Sequence, residues 1–159
     1  MELKDLKNKD LDGCIWYMPT DTIPGLSALA SDEEAISRIY KLKNRALDKP
    51  LIILCGSIDQ ASQIKDISSQ RDFLEKVWPG RVSIAFDEES PIRVPDNKEL
   101  QDFLVQVGPV VSTSCNISGS PAIINHEEAK EFFTNQIDYY IDTIQETDII
   151  PSTVIKIIR

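Results

Sequence analysis

Five cations crowd into one stretch of an otherwise acidic chain. Arg38, Lys41, Lys43, Arg45 and Lys49 are opposed there only by Asp48, although the 159 residues together hold 17 Lys+Arg against 26 Asp+Glu, a formal charge of −9. Three other segments are rich in hydroxyls, glycine and proline: "PTDTIPGL" (19–26), "STSCNISGSP" (112–121) and "PSTV" (151–154). The first two directly follow apolar strand-like runs, and ligands of open α/β sheets bind beyond the carboxyl ends of the strands. Small hydroxyls and free backbone N–H groups there can cradle an anion. Taken one at a time, each segment reads equally as a turn, with Pro24 and Gly25 shaping the first. Lys41 and Lys43 alone suit a helix C-terminus, where each cation is worth roughly 0.3–1 kcal/mol. Lys49 lies past that turn, at the mouth of the next strand, and has no such explanation. Together the pieces describe a phosphate site for a polyanionic small molecule such as a nucleotide. No GxxxxGK[ST] or GxGxxG accompanies it.

Other chemistries lack their residues. The one histidine, His126, follows Asn125, a helix N-cap with Glu128 at the third helical position, so it reads as a solvent-facing first-turn residue. A Ser-His-Asp triad and a protein-held transition metal both need more. Cys14, Cys55 and Cys115 are odd in number, far apart and without a CxxC, which reads as reduced, mostly buried thiols. No apolar run approaches the roughly 20 residues of a membrane span. The polar start "MELKDLKNKDLDG" is neither a signal nor a transit peptide, so the expected location is the cytoplasm. The acidic balance argues against a broad nucleic-acid-coating surface but leaves room for a local anion pocket.

These residues need a frame that brings distant segments together. The hydrophobic period alternates along the chain. Strands are expected at 14–19, 50–55, 81–86, 91–95, 109–114, 138–143 and 152–158. Helices are expected at 31–45, 57–64, 69–78, 97–107 and 125–133. Ser31 with Glu34 reads as the capping box of the first helix, and "PIRVP" (91–95) as an edge-like strand bounded by prolines. The fold class is α/β: one domain over residues 1–159, a twisted mixed sheet flanked by helices, with Ile53, Ile84 and Val110 in the core.

The order of the motifs resembles the YrdC-like (TsaC-type) threonylcarbamoyl-AMP synthases. "PTDTIPGL", "IYKLKNRALDKPL", "WPGRVSIAF", "IRVPDN", "STSCNISGSP" and "PST" occur in the family's sequence, from about residue 14 to 155. The resemblance implies a nucleotidyltransferase. L-threonine and bicarbonate form an N-carboxylated threonine, whose carboxylate attacks the α-phosphate of ATP and releases pyrophosphate. A separate transferase complex then modifies adenosine in tRNA, and the chain itself binds RNA weakly or not at all. Catalysis falls to Lys43, Arg45, Ser114 and Asn116, and ATP binding to Arg45, Lys49, Ser114, Asn116 and Ala122. Threonine binding falls to Thr22, Arg93, Ser112 and Ser152. Mg²⁺ enters with the ATP oxygens, not in a protein cage. Such chemistry needs cations and fixed donors more than a protein base, so a site without histidine suffices.

The chain departs from the family pattern at several points. Pro24 replaces a tyrosine, Arg81 a proline, Cys115 an alanine and Asn97 a histidine, and "TDIIPST" lacks a glycine. The competing reading is a non-catalytic nucleotide- or RNA-binding module of the same fold. A third, carbamoyl transfer in hydrogenase maturation, would need further modules. The cation cluster itself can be tested. Arg45→Ala should cut pyrophosphate formation at least about tenfold, since a desolvated charged contact is worth about 1.5–3 kcal/mol. Lys41→Ala should leave it nearly unchanged. Equal losses at the two positions in a pyrophosphate-release assay would mean that the pocket lies elsewhere.

Overall fold

A computed structural model describes residues 1–143 and 150–158. Its strands are β1 (Trp16–Met18), β2 (Gly25–Leu29), β3 (Ile52–Leu54), β4 (Val82–Phe86), β5 (Ile92–Arg93), β6 (Val110–Ser114), β7 (Tyr139–Tyr140) and β8 (Thr153–Ile157). They form one sheet in the order β7-β1-β2-β6-β3-β5-β4-β8. The sheet is mixed, as expected. Pairs β1–β2, β2–β6, β3–β6 and β4–β5 run antiparallel, whereas β1–β7, β3–β5 and β4–β8 run parallel.

Helices cover both faces because neighbouring strand residues point to opposite sides. Tyr17, Leu26 and Val111 pack with Ala35 and Ile39 of α2 (Glu33–Lys43) and with Ala129 and Phe133 of α6 (His126–Phe133). Trp16, Met18 and Val110 pack on the other side with Leu3 and Leu6 of α1 (Leu3–Leu6) and with Leu100, Phe103 and Leu104 of α5 (Lys98–Val107). A third cluster joins Ile84, Phe86 and Ile92 to Ala61 of α3 (Ile58–Ile64) and Leu74 of α4 (Arg71–Val77). Burying each such apolar side chain stabilises the fold by about 1.5–3 kcal/mol.

Several sequence expectations change. Asp32, not Ser31, caps α2, because its carboxylate accepts from the Ala35 N–H at 2.9 Å. Strand β2 and helix α1 add to the expected elements, because the glycine and proline of "PTDTIPGL" favour a turn and the N-terminal pattern is mainly polar. Ile84 and Val110 are fully buried, but Ile53 is half-buried beneath flanking side chains. His126 is not simply solvent-facing. Its ring is 24% exposed, and Nδ1 accepts from the Thr143 N–H at 3.0 Å.

The largest correction concerns β5, expected at an edge but found between β3 and β4. Its prolines are compatible with that position because they lie just outside the two ladder residues and contribute only carbonyls. Ile53 donates to Pro91 O at 2.7 Å, and Gln101 Nε2 to Pro95 O at 2.7 Å. A proline has no N–H to leave unsatisfied there. The prolines end the strand without breaking the sheet.

Gly56, after β3, lets α5 approach closely. A Cβ there would sit 2.4 Å from the Gln101 carbonyl oxygen and 2.9 Å from the Val105 nitrogen. Neither backbone atom can swing away. Gly56→Ala should therefore destabilise the fold by roughly 1–3 kcal/mol, the usual cost of overpacking. Urea unfolding should show a lower midpoint with an unchanged m-value.

Candidate active site

A cavity of about 240 Å³ opens between the turn before β2, the ends of β3, β5 and β6, and the start of β8. Thr22, Arg45, Arg93, Ser112, Ser114 and Ser152 all line it. The sheet order explains the convergence, because β2, β6, β3 and β5 are consecutive neighbours although their residues lie up to 89 positions apart, from Gly25 to Ser114. Ser152 arrives through the β4–β8 pairing, and its hydroxyl meets that of Ser83 at 3.0 Å.

Arg45 forms one wall. Its Nε donates to Lys49 O at 3.1 Å and its Nη2 to Pro50 O at 3.0 Å, which anchors the guanidinium over the loop into β3. The α2 C-cap allows this placement. Asn44 takes the left-handed conformation (φ 51), which turns the chain abruptly at the end of the helix.

Lys43 is not a solvated helix-end cation. It is 1% exposed. Its ammonium donates to Ser114 O, to Asn116 O at 3.2 Å and to Asn116 Oδ1. Three N–H groups thus meet three acceptors. Asn116 Oδ1 also accepts from the Ser114 hydroxyl at 2.9 Å, and Asn116 Nδ2 donates to Ser120 O at 2.6 Å. Lys43 and Asn116 therefore stand behind Ser114 and shape the loop that presents it. Lys49 and Ala122 lie outside the cavity lining. Lys49 is exposed and Ala122 half-buried. The departing residues have local explanations in two cases. Asn97 caps α5, accepting from the Leu100 N–H at 3.0 Å, and Arg81 is exposed outside the lining.

Arg93 also lines the cavity and is 3% exposed. Its Nη1 donates to Asp21 Oδ1 at 2.5 Å and to Gly80 O at 3.2 Å, and its Nη2 to Thr22 Oγ1 at 3.2 Å. Its Nε–H has no partner among the described residues. The sequence alone suggests no more for Asp21 than a place in a turn, yet Asp21 is the counter-ion of this buried arginine. The sequence also gives no sign of Ser27, fully buried, whose hydroxyl donates to Ser112 Oγ at 3.2 Å and leaves the Ser112 proton free for a ligand. Gly25 keeps that corner open, since a Cβ there would lie 2.1 Å from Ser112 Oγ.

A larger cavity of about 460 Å³ lies across the same turn, sharing Thr20, Thr22 and Pro24. Among the described residues its lining includes Glu2, Glu99 and Asp142 and no lysine or arginine, so it suits a polyphosphate poorly. The smaller cavity carries the cations and is the candidate site. Cys115, between Ser114 and Asn116, is buried, and burial pushes its thiol up to about 12. Burial likewise holds Cys55 at about 12. Neither is a thiolate nucleophile near neutral pH.

Known proteins share both sequence and fold with this chain. The Sua5/YciO/YrdC family model, described as "Telomere recombination", matches residues 11–159. A Methanocaldococcus jannaschii protein, provisionally named threonylcarbamoyl-AMP synthase, is 30% identical over 98% of this chain and 80% of its own length. A threonylcarbamoyl-AMP synthase of Pseudomonas entomophila is 28% identical over 79% of this chain and 76% of its own. The crystal structure of P. abyssi Sua5 complexed with L-threonine superposes with a TM-score of 0.85 at 26% identity, covering 98% of this chain. This chain spans only 50% of that protein's length.

Lys43 yields a pH test. Burial, and then the positive charge of Arg45, push its ammonium down from 10.5 to about 8. Between these values the unfolded chain holds a proton that the folded chain has lost. The group's contribution to stability therefore rises with pH through that window. The loop responds in the opposite sense, because a neutral amine has two N–H groups for three acceptors. An NMR titration of the Lys43 side chain should show a midpoint near 8. Amide signals of Ser114 and Asn116 should shift with it. A midpoint above about 10, the ordinary lysine range, would contradict this burial.

Proposed function

We propose that this chain, which belongs to the Sua5/YciO/YrdC family, is an L-threonylcarbamoyl-AMP synthase. It joins L-threonine, bicarbonate and ATP into threonylcarbamoyl-AMP and pyrophosphate, for threonylcarbamoyladenosine formation in tRNA. The observation that carries the reading is the convergence on one cavity of Arg45, Arg93 and the hydroxyls of Thr22, Ser112, Ser114 and Ser152.

The roles divide by what each wall offers. The carboxylate of threonine lies against Arg93, whose unpartnered Nε–H is a charged donor of the right kind. Thr22, Ser112 and Ser152 supply neutral donors around the amino acid. Condensation with bicarbonate forms an N–C bond and places a carboxylate on the threonine nitrogen, while one C–O bond of bicarbonate breaks, water leaves and one proton from the ammonium passes to solvent. One of its oxygens attacks the α-phosphorus of ATP, the P–O bond to pyrophosphate breaks, and the pair of electrons leaves with pyrophosphate. Arg45 and the Ser114 hydroxyl stabilise charge growing on the phosphates. Lys43 and Asn116 act by holding the Ser114 loop. Lys49 and Ala122, outside the cavity lining, are assigned to the nucleotide by the family resemblance alone. Mg²⁺ arrives with ATP, held by phosphate oxygens and water. No step requires a side chain to take a proton at neutral pH.

The product is a mixed anhydride, so a transferase complex must receive it before water does. With a net charge of −9, this chain is a poor platform for tRNA itself. Among the described residues no helix is long and apolar enough to cross a membrane, and a cytoplasmic location fits that supply role. Purified protein incubated with ATP, Mg²⁺, L-threonine and labelled bicarbonate should release pyrophosphate. It should also form a labelled species at the mass of AMP plus threonylcarbamoyl. Nucleotide binding without either product would replace the enzyme with a binding module.

A further inference from the structure

The buried pair Asp21–Arg93 carries more than charge balance. Arg93 presents five N–H donors in a fixed plane. The two on Nη1 are spent on Asp21 Oδ1 and Gly80 O, and one on Nη2 is spent on Thr22 Oγ1. What remains is the Nε–H, buried and without a partner among the described residues, and the second Nη2–H. The Nε and Nη2 nitrogens share one edge of the guanidinium, the edge that meets a carboxylate by two parallel hydrogen bonds.

Asp21 is itself clamped. Its Oδ2 accepts from the Asp96 N–H at 2.8 Å while Oδ1 takes Nη1 of Arg93. The side chain of Asp21 is 7% exposed and that of Arg93 3%. Neither group can rotate without stranding a charge. Thr22, the next residue, is fixed in the same unit, because its N–H donates to Thr20 Oγ1 at 3.0 Å. One carboxylate therefore ties the turn before β2, the end of β5 and the segment entering α5 into a single wall of the cavity.

We propose that Asp21 is a positioning residue for the amino-acid substrate. By occupying the Nη1 end of Arg93 it reserves the Nε/Nη2 edge for the substrate's α-carboxylate. It also cancels the buried charge when no substrate is present. The substrate carboxylate is then selected by direction more than by net charge, and a free inorganic anion gains little from the site. This role rests on the functional reading above, with Arg93 on the threonine side.

The test is calorimetric titration of L-threonine and, separately, of Mg²⁺–ATP into four proteins: wild type, Asp21→Asn, Arg93→Lys and the double variant. Asp21→Asn keeps the side chain's shape but cannot accept at both oxygens. It should lower threonine affinity about tenfold or more, the scale of a lost charged hydrogen bond, with ATP affinity changed less than about threefold. In the Arg93→Lys background the same substitution should have little further effect on threonine, because Asp21 acts through the fork that lysine lacks. The wild-type protein gives a reading independent of any variant. Its Arg93 Nε–H resonance should shift on threonine addition. Parallel losses for threonine and ATP would reduce Asp21 to a structural role. Undiminished threonine binding in Asp21→Asn, or an Nε–H unmoved by threonine, would overturn the proposal while leaving the function standing. Wild-type protein that binds no threonine would overturn both.

Discussion

A charge taken out of water has to be answered within hydrogen-bond reach, and this cavity is built around two that are. Arg93 and Lys43 are each almost wholly buried, at 3% and 1% exposure. Each would be costly if left unanswered, since breaking a buried pair typically costs 3–5 kcal/mol. Arg93 is met by a carboxylate, Lys43 by a ring of carbonyl oxygens. The segments that bear those partners are thereby fixed. The turn 19–22 follows Asp21, and the loop 114–120 follows Asn116 through Ser120. Two otherwise irregular stretches acquire one geometry because leaving it would strand a cation.

The two answers have different chemical consequences. The carboxylate opposite Arg93 leaves a locally neutral wall that still offers directed N–H groups. The carbonyls opposite Lys43 carry no net charge, so the positive charge stays beneath the Ser114 loop. Arg45 adds a second positive charge, near enough to act on Lys43 and held by backbone oxygens. The site is thus graded, with a charge-balanced ion pair that offers directed N–H donors on the β5 side and net positive charge on the β6 side. That gradient matches an amino-acid carboxylate on one side and a polyphosphate on the other. It also lets an acidic protein attract an anion, since low-dielectric walls preserve a local field that bulk charge would mask.

The scaffold supports this by inserting β6 antiparallel between β2 and β3. The carboxyl end of β6 is thereby set beside the start of β2, where Gly25 pairs with Ser114. A chain of purely parallel strands would place all its loops at strand ends of one sense. Here a strand beginning and a strand ending meet at one spot, and both hydroxyl-rich segments face the same cavity. The buried serines Ser27 and Ser83 belong to this arrangement. They sit within the sheet because their hydroxyls pair with Ser112 and Ser152, which keeps a buried polar group satisfied.

Local pattern was enough to identify much of this. Helix periodicity located α3, α5 and α6, and the Asn125 cap marked the start of the last, because those signals act within a few residues. The ordered motifs named the family, and the hydroxyl-rich segments marked the strand ends. The sequence could not place β5 inside the sheet, because prolines constrain a strand's own hydrogen bonds and say nothing about its neighbours. It could not reveal β2, whose glycine and serine look like loop and are held as strand by pairing on both sides. It allowed Lys43 both a helix-end and a phosphate-side reading and could not show it buried behind Ser114, because burial depends on a partner more than seventy residues away. Asp21 read as a turn residue for the same reason. An ion pair is a property of two positions, and only the tertiary structure brings residue 21 to residue 93.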